Sequence, residues 1–307
     1  MRKKCLAIAI FTCCFTIAGN VGAGEVILPE IRPQKLRAVG ILSFRPIEES
    51  SGLVRSRTWP EMYWTHNDSG NQARIFAVRI NGSIVKPERV KDKEYNGIQV
   101  SGARNIDWED IALDAEGNLY IGDFGNNWNA RRDLGVYVLK EPNPFEQTDA
   151  LVLRRIPFEF PDQKQYPPPK ERNYDVEALF FANNRLYILT KNRGNTKTRL
   201  YRFAPIVPDR INRLIFLGEF NTREKVTAAD ISPDENRLAV LTYEAIWMFE
   251  RTSMDSESWL NGRVWWLPIK NCSTCEGVCF SDDAILISSE RRELFSVPIA
   301  DLVVVRE

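Results

Sequence analysis

Asp107, Glu109 and Asp110 fall within four residues at the head of the apolar run WEDIALDAEGNLYIGDFGNN. Carboxylates placed that closely repel one another: two about 5 Å apart cost roughly 3 kcal/mol at an effective dielectric near 20. Protons, a cation or separation must offset that cost. A small or acidic residue followed by apolar alternation recurs at Ser51 in SSGLV, Glu177 in VEALFF, Ala229 in AADIS and Glu276 in CEGVCF. If these positions converge with Glu109, three carboxylates and one hydroxyl meet. Such a set suits a hard cation, because calcium takes several oxygen ligands at modest geometric stringency. Ser51, Glu109, Glu177 and Glu276 are therefore the expected ligands of a Ca2+ ion. Ala229 leaves the set incomplete, with Thr227 or a water as substitute, and Asp230, in phase with Asp110, is expected to point away. The blander alternative is a solvated rim, or pairing with Arg104, Arg172 or Lys225.

A second group of residues could do acid–base or binding chemistry. Runs expected to be strands end in THNDSGN, GDFGNN, TKNRGN, TYE and SSERR. His66, Asp68 and Asp123 are the candidate catalytic groups, with the acids orienting water or a hydroxyl. Asn67, Asn127, Lys191, Arg193 and Arg291 are the candidate ligand-binding groups, the cations facing an anionic ligand. Turn chemistry accounts for much of the Asn, Asp and Gly content on its own. His66 is the sole histidine, which excludes a histidine-pair metal site. No GxSxG elbow, Walker loop or dinucleotide fingerprint is present. The tryptophans read as packing residues, except Trp128, which follows GDFGNN.

The elements that must position these groups are strands. Short apolar or alternating runs separated by Gly, Asn, Asp and Pro recur at close spacing, and helical periodicity is weak. A repeat underlies them. The positions aligned with Glu109 lie 58, 68, 52 and 47 residues apart, which suits four-stranded blades. The pattern predicts an all-β chain folded as a β-propeller, five blades first and six second. Residues 36–44, LRAVGILSF, resemble a fourth strand placed ahead of the first unit, so an N-terminal strand is expected to complete the last blade and close the ring. The C-terminal LVVV competes for that position. The Pro- and charge-rich stretch 162–175 reads as a linker or a flap.

The first 23 residues place Arg2, Lys3 and Lys4 ahead of an apolar run that ends in small residues, the pattern of a signal peptide cleaved near Ala23. Residues 24–307 are then one propeller domain in a periplasmic or secreted protein, a monomer with no membrane span. The chain carries 41 basic and 41 acidic residues, and loss of the leader leaves it weakly acidic. No basic block or stripe invites nucleic acid. The expected partner is a small anionic or polar ligand, or an envelope protein. Three cysteines remain in CSTCEGVC, and in an oxidising compartment Cys272 could close on Cys275, leaving Cys279.

The axial run Ser, Glu, Glu, blank, Glu resembles the central calcium site of the calcium-activated apyrases, secreted five-bladed propellers that hydrolyse nucleoside di- and triphosphates. The segments ESSGL, HNDSG and DWEDIA are similar to those of a broad group of exported bacterial propellers that carries no settled activity. The first resemblance implies a metal-dependent phosphoester or nucleotide hydrolase, and Ala229 departs from its ligand pattern. The alternative is a noncatalytic propeller that binds a protein or a glycan.

Overall fold

The structure, a computed structural model, describes residues 26–307 apart from Asp209 and Ser273. The expected leader, with Cys5, Cys13 and Cys14, lies outside the described residues. What is described is all-β, with two single-turn 3-10 helices at Trp259–Asn261 and Ile299–Asp301. No described helix is long and apolar enough to cross a membrane.

The strands form five antiparallel meanders, here called units. Their first strands are Ser50–Arg55, Trp108–Leu113, Val176–Ala182, Val226–Ile231 and Cys275–Ser281. Each pairs with a second strand, respectively Tyr63–Asn67, Asn118–Asp123, Arg185–Thr190, Arg237–Thr242 and Ala284–Ser289. Local sterics set these hairpins. In the third unit, Asn183 and Asn184 sit at φ of 49° and 56°, the left-handed pair that a two-residue turn between twisted strands requires and that Asn tolerates. Both faces of a second strand are covered, so LYILT at 186–190 is buried throughout and reads as an unbroken apolar run.

The core lies between units. One apolar layer separates the first and second units, another the second and third, and so on to a layer in which Leu53, Tyr63 and Phe76 of the first unit meet Cys279, Leu286 and Leu294 of the last. Aromatic rings pack against one another in the layer between the third and fourth units. Phe180 stacks on Tyr187 at 4.9 Å, and Trp259 meets both edge-on at 5.3 and 5.0 Å. Each such buried ring contributes about 2–3 kcal/mol.

The last unit takes its fourth strand from the N-terminal side: Ala38–Ile41 pairs antiparallel with Glu293–Pro298. The competing C-terminal segment, Val303–Arg306, instead pairs with Val264–Lys270 at the edge of the fourth unit. Leu36 and Leu42, which flank the N-terminal strand, are buried in the layers on either side of the last unit. The stretch 162–175 forms no strand and is pinned to the second unit. Gln163 Nε2 donates to Asn129 O at 2.8 Å, and the Tyr174 amide donates to Asn129 Oδ1 at 2.8 Å. Cys272 and Cys275 are disulfide-bonded, and Cys279 is free and buried.

Candidate functional site: an acidic basin where the first strands begin

All five first strands carry the same defect. Each skips one residue in its pairing with the second strand, a β-bulge between Ser51 and Leu53, Trp108 and Asp110, Val176 and Ala178, Val226 and Ala228, and Cys275 and Gly277. Bulges re-aim the side chain that goes unpaired. The equivalent unpaired residues are therefore Gly52, Glu109, Glu177, Thr227 and Glu276, which corrects the sequence alignment at two places. Gly52 stands where Ser51 was expected. Thr227, buried and with no hydrogen-bond partner on Oγ1 among the described residues, stands where Ala229 was expected.

Asp230 is also corrected. Its Oδ2 accepts from the Phe280 amide at 2.8 Å, so it reaches inward to the next unit's first strand. Asp110 does the same on a larger scale. Its Oδ1 accepts from the Ile111 amide at 2.9 Å, and its Oδ2 from the amides of Leu179 at 2.8 Å and Ala229 at 3.3 Å. One carboxyl thus ties the second unit to the third and the fourth. Burial pushes its pKa well up, against the pull of those amides.

Asp68, Asp107 and Glu109 come together on one side of the basin, each offering a carboxylate oxygen within 4.8 Å of the others. Local bonds fix them there. Asn105 Nδ2 donates to the carbonyls of Asn67 at 3.1 Å and Asp68 at 2.8 Å, while its Oδ1 accepts from the Trp108 amide at 3.1 Å. The Asp107 amide donates to Asp123 Oδ1 at 3.1 Å, and Asp107 O accepts from the amides of Phe124 and Gly125. A Cβ on Gly125 would lie 2.0 Å from Glu109 Oε1 and 2.5 Å from Asp107 Oδ2, so only glycine lets both carboxyls rest on this loop. Asp107 joins the set in place of the expected Glu177 and Glu276. Its partner Asp68 arrives from another unit, and no sequence signal gives that distance.

These three acids have no ion pair among the described residues. Burial, then the charge of Glu177 and then those of Asp68 and Asp107, hold the Glu109 carboxyl well above its ordinary range. Asp107 is pushed up to about 6 by burial and then by Asp68. Burial also raises Asp68.

The other side of the basin is neutralised from within. Lys191 Nζ lies 3.0 Å from Glu177 Oε2, both side chains being buried, and 5.1 Å from the centre of the Tyr243 ring. Tyr243 Oη donates to Glu276 Oε1 at 3.0 Å. Burial pulls Lys191 down, but the carboxylates of Glu177 and Glu276 more than offset it and hold the ammonium up. Burial raises Glu177 and Glu276 in turn, against the pull of Lys191. Arg193 pairs with Asp175 at 2.6 Å and Glu177 at 3.5 Å, and bonds Asn127. The partners expected from sequence, Arg104, Arg172 and Lys225, are not the ones used. Lys191 and Arg193, assigned there to an anionic ligand, are already occupied by carboxylates.

The remaining candidates are placed as follows. His66 is fully buried, its ring edge-on to Trp108 at 5.6 Å and its Nδ1 3.1 Å from Asn67 O, and burial lowers its pKa to about 4. The imidazole is enclosed and held neutral, and its Nε2 has no hydrogen-bond partner among the described residues. Asp123 is also buried and is paired with Arg131 at 3.1 Å, and its Oδ1 accepts from the Asp107 amide, which positions that loop. Asn67 staples the preceding loop: its Oδ1 accepts from the Glu48 amide at 3.0 Å and its Nδ2 donates to Pro46 O at 2.9 Å. Ser51 Oγ donates to Glu109 O at 2.9 Å, which orients the Glu109 backbone. Arg291 is exposed. Trp128 is 73% exposed, and the Arg172 guanidinium lies 6.0 Å from its ring centre.

No protein-family model and no curated protein matches the chain. Among solved structures, the major allergen Mala s 1 of Malassezia sympodialis is similar at 10% identity and a TM-score of 0.48, covering 87% of this chain and 96% of that one. A virginiamycin B lyase from Staphylococcus aureus is similar at 12% identity and a TM-score of 0.41, covering 86% of this chain and 99% of that one. Likenesses this distant carry neither an activity nor a ligand across to this chain.

Proposed function

We propose that this is an exported five-bladed β-propeller, its ring closed by the strand Ala38–Ile41, which holds a calcium-like cation with Asp68, Asp107 and Glu109 and binds a small polar or anionic ligand over it. Export rests on the charged and then apolar first 23 residues. The ring reading rests on the apolar layer between the last unit and the first. One observation carries the cation: three buried or half-buried carboxylates sit within 4.8 Å with no counter-charge paired to them among the described residues, while the neighbouring carboxyls of Asp123, Asp175, Glu177 and Glu276 each have a partner. Each ionised pair at that distance costs about 3 kcal/mol at an effective dielectric near 20. A divalent cation removes the cost and needs oxygen ligands of this kind, with water or a ligand oxygen filling the positions left over.

The ligand set differs from the one expected from sequence. Glu109 stays. Glu177 and Glu276 are supplied with Lys191, a tethered cation that takes the place of metal on its side of the basin. Metal-dependent phosphoester or nucleotide hydrolysis would need the bound cation to polarise a phosphoryl group and free basic side chains to neutralise developing charge. Lys191 and Arg193 are committed to carboxylates, and His66 is enclosed. Those placements favour the second reading, a noncatalytic module that docks a protein or a glycan through the cation-ordered rim.

The deciding experiment is a thermal melt after chelation, then with calcium or magnesium restored, followed by a phosphoester and nucleotide panel. A calcium-specific rise absent in Glu109→Gln supports the cation site, and no rise in the wild-type protein rejects it. Calcium-dependent turnover lost in the same variant selects the hydrolase. Calcium binding without turnover selects the binding module.

A further inference from the structure

The opposite ends of the first strands enclose a second cavity of about 390 Å3, lined among others by Val54, Leu113, Ile231 and Phe280 and by the polar residues Arg55, Arg57 and Asp230. It is distinct from the acidic basin. Glu109 and Leu113 lie towards opposite ends of the strand Trp108–Leu113, so the two sites lie ~13 Å apart along it. The Asp110 carboxyl, bonded to three amides, occupies the interior between them.

The two ends carry opposite chemistry. The basin gathers unpaired carboxylates, whereas this cavity sets the apolar side chains of Val54, Leu113, Ile231 and Phe280 beside polar ones that include an exposed guanidinium. Arg55 is engaged with Asp282 at 2.7 Å. Arg57 is exposed and makes neither a hydrogen bond nor an ion pair with any described residue. Asp230 is the only carboxyl in the lining, and one of its oxygens is bound to the Phe280 amide. A cleft of this volume that joins apolar side chains to a few convergent polar groups is a usual form of a small-molecule site. An unpaired guanidinium selects a planar or tetrahedral oxyanion.

We propose that this cavity binds a small organic anion, an apolar or aromatic body carrying one carboxylate, sulfonate or phosphate, with the body between Val54, Leu113, Ile231 and Phe280 and the anionic group on Arg57. A purely polar metabolite would leave the walls wet, and an uncharged one would leave Arg57 without a role. This site does not depend on the cation proposed for the other end.

The test uses 8-anilino-1-naphthalenesulfonate as the anionic probe and N-phenyl-1-naphthylamine as its counterpart without the sulfonate, titrated into the folded full chain. The wild-type protein is expected to bind the sulfonate at least tenfold more tightly than the uncharged probe. Arg57→Gln, at an exposed position, is expected to erase that preference, Arg57→Lys to keep part of it, and Asp107→Asn at the far end to leave it unchanged. Equal binding of the two probes by the wild-type protein, or sulfonate affinity within twofold of wild type in Arg57→Gln, overturns the proposal. Loss of the preference in Asp107→Asn also overturns it, because the probe would then be reporting on the other end.

Discussion

At the scale of single residues, the basin is a problem of unbalanced charge. Glu109→Gln removes one carboxylate from a mutually repelling set of three. Two opposite effects are therefore expected. Without divalent cations the variant melts a few degrees above wild type, because each repulsive pair removed is worth about 3 kcal/mol before protonation relieves it. With calcium the order reverses, since wild type gains RT ln(1 + [Ca]/Kd), about 2.7 kcal/mol at a hundredfold excess over Kd, and the variant gains little. Differential scanning in chelator and in calcium checks both signs. A variant that melts below wild type in chelator contradicts the account.

Asp230 makes a separate prediction about pH. Burial pushes its carboxyl up to about 7, against the Phe280 and Ile231 amides and the nearby charge of Arg57. A carboxyl whose folded pKa is raised binds more protons folded than unfolded. Its stabilising contribution is thus complete below the ordinary carboxylate range and is lost as pH climbs towards 7. Urea midpoints between pH 4.5 and 7.5 should fall less steeply in Asp230→Asn than in wild type. Identical slopes would place the titration elsewhere.

At the scale of elements, the bulge at the head of each first strand is what turns a repeat into a site. It turns one residue per unit out of the ladder, and the sequence fills those five places with Gly52, Glu109, Glu177, Thr227 and Glu276. The loop that supports Glu109 has little room. Gly125→Ala would drive a methyl into the Glu109 and Asp107 carboxyls, and a tenfold or greater loss of calcium affinity is expected with little change in the metal-free melt. Calorimetric titration reads the affinity directly.

Asp110 acts through three amides drawn from three strands. Asp110→Asn offers one acceptor oxygen and an amide donor, so at least one of those strand amides faces a donor, at about 1–3 kcal/mol each. Chemical denaturation should show that loss with or without calcium. A loss seen only with calcium would move Asp110 into the cation site.

At the scale of the whole molecule, the strand from the N-terminal side determines whether the last unit is completed. Ala38–Ile41 pairs with Glu293–Pro298, and Leu36 and Leu42 at its ends are buried in the two neighbouring layers. Deleting residues 26–43 should cost about 3–6 kcal/mol from those two leucines alone and speed amide exchange in residues 293–298. Deleting Val303–Arg306, whose side chains are half-buried or exposed, should cost much less. Equal costs would mean that the two terminal segments are interchangeable, and the ring reading would lose its closure.

The sequence by itself determined the all-β character, the five repeats of strand rhythm and the N-terminal strand that pairs with the last unit. Those properties are local: a period of two, β-branched and aromatic runs, and Asn or Gly where the backbone must turn left-handed. It also marked Glu109, Glu177 and Glu276 as equivalent. Only the tertiary structure decided what those acids meet. A bulge shifts register by one residue, so a sequence alignment slipped to Ser51 and Ala229 where the fold aligns Gly52 and Thr227. The bond between Glu177 and Lys191, the enclosure of His66 and the approach of Asp68 to Asp107 depend on distances between strands remote in the chain. Charge pairing falls off with distance in space and carries no periodicity along the chain, so sequence could find the carboxylates but not which of them were left without a partner.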